Sequence, residues 1–183
     1  SAALDIADKI EAQAIRFGGA AEWIQPEYVP NANRFELLPM SYTLYEGKTG
    51  VALFLAAVAR VTGDSRWSDL ALAAVHNLRI DLRHADTPFM RRIGIGGMGG
   101  YGGIAYALAQ MAKLLDMPAL LDDARRAADQ ITAEAVAADA HLDLMSGLSG
   151  ALMGLLTTHQ ATGDAAYLDM ARRCGDRLLE TQL

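Results

Sequence analysis

The sequence predicts an all-α protein built from three copies of one helical hairpin. Three observations lead there. A Gly-x-x-Gly step recurs at Gly47-Lys48-Thr49-Gly50, Gly100-Tyr101-Gly102-Gly103 and Gly147-Leu148-Ser149-Gly150, and an apolar helical run follows each time. The second helix of each copy repeats one apolar register. Trp67, Ala71, Ala74 and Leu78 match Leu120, Ala124, Ala127 and Ile131, then Tyr167, Ala171, Cys174 and Leu178. Steps of four, three and four mark one helix face. Finally, no strand-like alternation is long enough to predict a sheet.

In chain order, residues 1–43 are a lead-in. Residues 3–17 read as an amphipathic helix whose stripe is Leu4, Ile6, Ile10, Ala14 and Phe17, stopped by Gly18-Gly19. Residues 21–40 hold three prolines and read as an irregular connection with a short helical or extended piece. The repeats follow at 44–93, 94–141 and 142–183, with Ala85 to Gly94 as a loop. About seven helices result from the 3.6-residue period and its breaks. In copies one and three, Thr-Gly-Asp at Thr62-Gly63-Asp64 and Thr162-Gly163-Asp164 ends one helix on a glycine free to take positive φ. It also offers an aspartate cap to the next helix. The middle copy uses Leu115-Asp116-Met117-Pro118 for the same break.

With 183 residues the chain is long enough for one domain with a real core. Hydrophobic residues are 52% and charged ones 21%, the balance of a well-buried globular protein. A net charge of −6 leaves no basic stripe for phosphates, which excludes a nucleic-acid partner. Apolar runs are too short or interrupted for a membrane span. The single cysteine makes a reducing cytoplasm the expectation.

Several features imitate chemistry. Gly94-Ile95-Gly96-Gly97-Met98-Gly99 fits the dinucleotide pattern G-x-G-x-x-G, yet that motif needs a strand before it and a βαβ unit around it. A tight turn before a helix is the expected structure; Met98 and Tyr101 read as packing, with a ligand-facing role as the alternative. The four histidines, at 76, 84, 141 and 159, form no helical pair, and no metal-ligand spacing joins them to Cys174. Cys174 fills the slot of Ala74 and Ala127, which suits a buried packing thiol. No metal site is expected. Only the third copy has an acid four residues before its first glycine, Asp143, where the others carry Thr43 and Gly96. Asp143 therefore has two readings, a helix cap and a site acid beside His141. In a ring of hairpins such turns would collect at one end, where repeat proteins place function.

From these residues a family resemblance follows. Leu44-Tyr-Glu-Gly-Lys-Thr-Gly-Val-Ala-Leu-Phe-Leu55, Gly100-Tyr-Gly-Gly-Ile-Ala-Tyr-Ala-Leu-Ala109, Leu142-Asp-Leu-Met-Ser-Gly-Leu-Ser-Gly-Ala-Leu152 and Ala171-Arg-Arg-Cys-Gly-Asp-Arg-Leu-Leu179 resemble, in order, motifs of lanthionine synthetase C-like proteins. The closest likeness is to the cyclase domain of the bifunctional class II (LanM-type) lanthipeptide synthetases, over about residues 22–183. The resemblance implies an α/α toroid, of which this chain is partial, about half of a six-hairpin barrel. It implies addition of peptide cysteine thiols to dehydroalanine or dehydrobutyrine, with a lanthipeptide precursor as partner. It maps the family aspartate onto Asp143, in a supporting role, and makes Gly47, Gly50, Gly100, Gly103, Gly147 and Gly150 structural turns. Zinc is implied for the complete cyclase, but the Trp-Cys-x-Gly and Cys-His-Gly ligand motifs are not in this sequence, so none is expected in this fragment. The expected partners are then the C-terminal half of the domain, or a second copy through exposed flanks. Two further classes stand beside this one: a non-catalytic helical-repeat module that binds peptide, and a different α/α-toroid enzyme such as a glycosidase or prenyl-type cyclase. The latter needs a second catalytic acid, or an acidic Asp-rich motif, near the inner turns, for which Glu46 is the sole nearby residue.

Overall fold

A computed structural model describes residues 1–84 and 92–181; most of the expected loop, from Ala85 to Arg91, and the last two residues lie outside that set. Among the described residues there are nine α-helices and two small antiparallel hairpins. Helices α2 (Lys48–Thr62) and α3 (Ser65–Ala74), α5 (Tyr101–Leu114) and α6 (Ala119–Ala128), and α8 (Leu148–Thr162) and α9 (Ala165–Glu180) are the three repeated hairpins. α2 packs on α5 and α5 on α8, so the first helices form one layer and α3, α6 and α9 cover it. Two more helices than expected appear. The first repeat's outer helix breaks at Val75 and continues as α4 (His76–His84), and a short α7 (Ala133–Ala138) follows α6.

The repeated register is a record of burial. Trp67, Ala71, Ala74, Leu78, Leu120, Ala124, Ala127, Ile131, Tyr167, Ala171 and Cys174 all lie in the core, with Leu178 packed against it. The breaks work as their residues dictate. Gly63 and Gly163 take φ of 71° and 73°, and Asp64 and Asp164 accept the amides of Arg66 and Ala166 at 2.9 Å. In the middle copy Asp116 adopts the left-handed conformation, φ 49°, and Pro118 leads into α6. A buried carboxylate, Asp123, ties α6 to α4 through Arg79 at 2.6 Å and also holds Arg126 of its own helix at 3.1 Å.

The lead-in departs from the helical expectation. Helix α1 stops at Ala12, and residues 15–17 are strand β1 (Ile15–Phe17), paired with β2 (Ala20–Glu22). Gly18 and Gly19 both take positive φ, 57° and 86°. Two consecutive positive φ values are what a tight two-residue hairpin turn requires, so this pair turns a hairpin instead of stopping a helix. A second hairpin joins β3 (Ile24–Val29) to β4 (Arg34–Pro39), with Pro26 opposite Leu37 and Tyr28 opposite Phe35. Prolines are tolerated because this two-stranded hairpin has open edges. Trp23 anchors it, buried and donating its indole N–H to Ile10 O at 2.9 Å. Ile24, Tyr28, Phe35 and Leu37 share one exposed face.

Candidate functional site

Each repeat enters its first helix through a loop closed in the same way. The amide of the first helical residue bonds back across the loop: Lys48 N to Ser41 O at 2.7 Å and Tyr101 N to Gly94 O at 2.9 Å. In the third copy Leu148 N goes instead to the Asp139 carboxylate, at 3.1 Å. The next residue is tied likewise, Thr49 Oγ1 to Tyr42 O at 2.8 Å, Gly102 N to Ile95 O at 3.2 Å, and Ser149 Oγ to Leu142 O at 2.6 Å. First-turn amides of a helix lack intrahelical partners, and the loop supplies them.

The loops are also stitched to each other. Leu44 and Tyr45 donate their amides to Met98 O, both at 3.1 Å. Gly97 N reaches Leu144 O, and Met98 N and Gly99 N reach Met145 O, all at 3.0 Å. The bonds run in one direction, copy one onto copy two and copy two onto copy three. All three glycine steps therefore lie at one end of the layer. Glycine is needed there because the backbones touch. A Cβ on Gly150 would meet Gly97 N and Leu144 O, and one on Gly103 would meet Gly97 O. Gly94, the start of the dinucleotide-like pattern, makes an isolated bridge to Gly100, and residues 92 and 93 directly before it are not strand. Among the described residues the sheets are antiparallel hairpins, so no βαβ unit surrounds the pattern there.

Asp143 stands exposed in the third loop. Its Oδ1 accepts Ser146 N–H at 2.7 Å, its carbonyl accepts Gly147 N at 3.2 Å, and no donor among the described residues reaches Oδ2. It caps the loop turn, while the helix itself is capped by Asp139, which sequence reasoning missed. Asp139 Oδ2 takes the amides of both Leu142, at 3.0 Å, and Leu148. It thereby holds Leu142 in the left-handed conformation, φ 58°, directly before Asp143. An aspartate eight residues before a glycine step has no familiar spacing, which is why it went unread. His141 is exposed beside this turn, and His159 reaches Asp164 O at 2.8 Å. Glu46 is exposed in the first loop, apart from any buried acid.

Sequence reasoning also passed over Lys48, which is 3% exposed at the start of α2. Its ammonium binds Glu22, lies 4.4 Å from the Tyr42 ring centroid, and shares Glu22 with Asn77 at 3.1 Å. This cluster joins β2, α2 and α4. Burial, then the charges of Asp81 and Glu22, push the Tyr42 hydroxyl above its usual range. The equivalent first-turn residue of copy two, Tyr101, is also buried, and burial pushes its hydroxyl up to about 12.

Cys174 is fully buried in α9, and burial, with Asp139 adding to it, pushes its thiol up to about 11. A nucleophilic or metal-binding cysteine needs the opposite shift. Among the described residues no three His, Cys, Asp or Glu side chains converge as a metal site needs. The donor set described here does not fit a zinc ion. No helix among these residues is long and apolar enough to cross a membrane.

Over residues 38–183 the sequence matches a family model described as lanthionine synthetase C-like protein. No curated protein matches the chain. The matched span begins just before the first glycine loop and contains all three hairpins with Asp139 and Asp143, so loops and family coincide. The chain belongs to the lanthionine synthetase C-like family.

Proposed function

We propose that this chain is the N-terminal half of a lanthionine synthetase cyclase domain, closest to the class II LanM type. Its residues 1–183 would be one domain forming part of an α/α toroid. The reaction adds a peptide cysteine thiol to dehydroalanine or dehydrobutyrine: the S–H proton leaves, sulfur bonds to Cβ, and Cα takes a proton. Family membership supports cyclase chemistry at the family level. The observation that carries the site is the stitched ladder of glycine loops, which presents Asp143 at its third rung on a turn locked by Asp139.

In this reading Asp143 uses Oδ1 to hold its own loop and offers Oδ2 to the peptide. A carboxylate so fixed accepts a hydrogen bond from a peptide amide or takes a proton beside the reacting carbons. Rigid support of this kind sets geometry before substrate arrives. Zinc would be held by residues other than those described here, in the remainder of the domain. The precursor peptide and that remainder are the partners, in a reducing cytoplasm.

The test is complementation. The chain is mixed with a polypeptide carrying the family's cysteine and Cys-His motifs, zinc, and a peptide holding cysteine and dehydroalanine. Thioether formation is read as loss of alkylatable thiol at constant mass. Thiol should disappear only in the complete mixture, and Asp143→Asn should slow it about 10²–10⁴-fold. An unchanged rate for Asp143→Asn rejects the site. Peptide binding without turnover in an assembled, zinc-loaded complex points to a binding module.

A further inference from the structure

The glycine-loop end carries an apolar row that the fold does not use. Counting back two residues from the first glycine of each step gives Tyr45, Met98 and Met145. These equivalent positions are adjacent in space, because Tyr45 N bonds to Met98 O and Met98 N bonds to Met145 O. Tyr45 is 71% exposed and Met145 46%; Met98, in the middle, is half-buried. Neighbouring Leu144 is 47% exposed. None of the four joins the hydrophobic core or the residues packed against it. Scattered exposed apolar residues need no explanation, but a contiguous row at the same position of three copies does.

Charge says what the row accepts. The three loops, residues 41–47, 94–100 and 141–147, contain no Lys or Arg. Their acids, Glu46 and Asp143, are exposed and stand beside the two ends of the row. The flexible thioethers of Met98 and Met145 adapt to differently shaped apolar partners, and an exposed tyrosine adds a rigid amphipathic face. The backbone beneath is fixed by interloop bonds and close glycine contacts, so adaptable side chains sit on a rigid base.

We infer that Tyr45, Met98 and Met145 form the contact surface for the substrate peptide, and that it selects segments with apolar side chains and positive or no charge around the reacting cysteine. The inference rests on the cyclase reading above and adds a substrate preference to it. The row tolerates variation in the apolar residues and discriminates against acidic ones, through Glu46 and Asp143.

The experiment is fluorescence anisotropy with the chain and a short fluorescein-labelled peptide containing one cysteine, leucine and phenylalanine neighbours, and lysines. A second peptide replaces the lysines with glutamates. Tyr45→Ser, Met98→Ser and Met145→Ser are compared with Phe35→Ser on the β3–β4 hairpin, the other exposed apolar face. Circular dichroism and melting temperature establish that each variant is folded, and light scattering follows association. The lysine peptide should bind, each row variant should weaken it about three- to ten-fold, and Phe35→Ser should leave it unchanged. The glutamate peptide should bind more weakly than the lysine peptide. Row variants that bind like the parent overturn the surface but leave the cyclase reading standing. Loss of binding in Phe35→Ser alone moves the contact to the hairpin and overturns it too. Equal binding of both peptides overturns the charge preference. Row variants that lose self-association together with peptide binding make the row a contact between copies. If no peptide binds the parent chain, the surface fails, while the cyclase reading is decided by the complementation test.

Discussion

Adding a single methyl group at Gly150 should damage this protein far more than adding one at Gly175. Both glycines lie in helices, and glycine to alanine in an unobstructed helix is worth about 0.5–1 kcal/mol in favour of alanine. At Gly175 a Cβ would find only Leu152 Cδ1, 3.9 Å away, so Gly175→Ala should be neutral or stabilising. At Gly150 the Cβ would run into Gly97 N and Leu144 O, and would lie 2.6 Å from Gly97 Cα. These are backbone atoms of the neighbouring loops and cannot rotate aside. Relief requires moving the second loop off the third, which breaks Gly97 N to Leu144 O and strains the two bonds to Met145 O. Overpacking costs about 1–3 kcal/mol. The broken hydrogen bond adds about 1 kcal/mol, and the two strained ones together add about 1 kcal/mol more. Less the propensity gain, Gly150→Ala should lose about 2–4 kcal/mol, or about 5–15 °C in melting temperature at this size. Urea and thermal unfolding of both variants measure this directly. A Gly150→Ala protein as stable as its parent, or less damaged than Gly175→Ala, would refute the view that backbone contact fixes these glycines.

Asp139→Ala should cost about 1–2 kcal/mol, because two amides lose their acceptor, while Asp143→Ala should cost less than about 1 kcal/mol; chemical denaturation separates them. The Cys174 thiol is raised in the fold, so its neutral form is favoured there; stability should be complete below about pH 9 and fall as pH climbs through about 11. Cys174→Ala should flatten part of that decline in urea midpoints taken from pH 8 to 11, and native Cys174 should react with a disulfide reagent at pH 8 far more slowly than in urea. Lys48→Met leaves Glu22, which is 27% exposed, without its cation and should cost about 2 kcal/mol, recovered in part by adding Glu22→Gln. The α8–α9 flank holds an open apolar cleft of about 480 Å³ lined by Leu152, Leu156, Leu168, Leu178 and Leu179. Self-association through it should appear in light scattering and be abolished by Leu179→Asp, whose side chain is exposed and lies outside the core.

The helical hairpins were legible because burial repeats with the helix period: Trp67, Leu120 and Tyr167 occupy the same slot and are all buried. Turn chemistry was legible at Gly63 and Gly163 for the same reason, since the glycine and the following aspartate have one local job each. Gly18-Gly19 misled because glycine after an apolar stretch serves a helix end and a hairpin turn equally; the choice depended on pairing Ile15 with Glu22, seven residues on. The β3–β4 hairpin was hidden by prolines and by an apolar face left in solvent, which blurs the inside–outside alternation. At the site, Asp143 was visible as an exception among copies. Asp139 and Lys48 were not, because their partners depend on loop closure and on contacts with Glu22 and Asn77 far away in sequence.

The glycine contacts also decide where this protein can breathe. At the loop end, backbone meets backbone between neighbouring hairpins, at Gly97 with Gly150 and Gly102 with Gly154. At the opposite end the same hairpins meet through exposed side chains, as in the Arg60–Asp116 ion pair at 2.9 Å, and leave gaps between them. Openings of about 280 Å³ lie between Ala59, Gly63 and Leu115 on one side and between Ala112, Pro118 and Ala161 on the other. Close-packed backbone has no slack, whereas solvent-filled gaps yield to small rotations. Rocking of one hairpin against the next is therefore expected to pivot about the glycines, with displacement growing toward the far turns, and hydrogen exchange along α2, α5 and α8 measures that gradient. Tyr45, Met98, Met145 and Asp143 sit at the fulcrum, where thermal motion of the whole assembly moves them least.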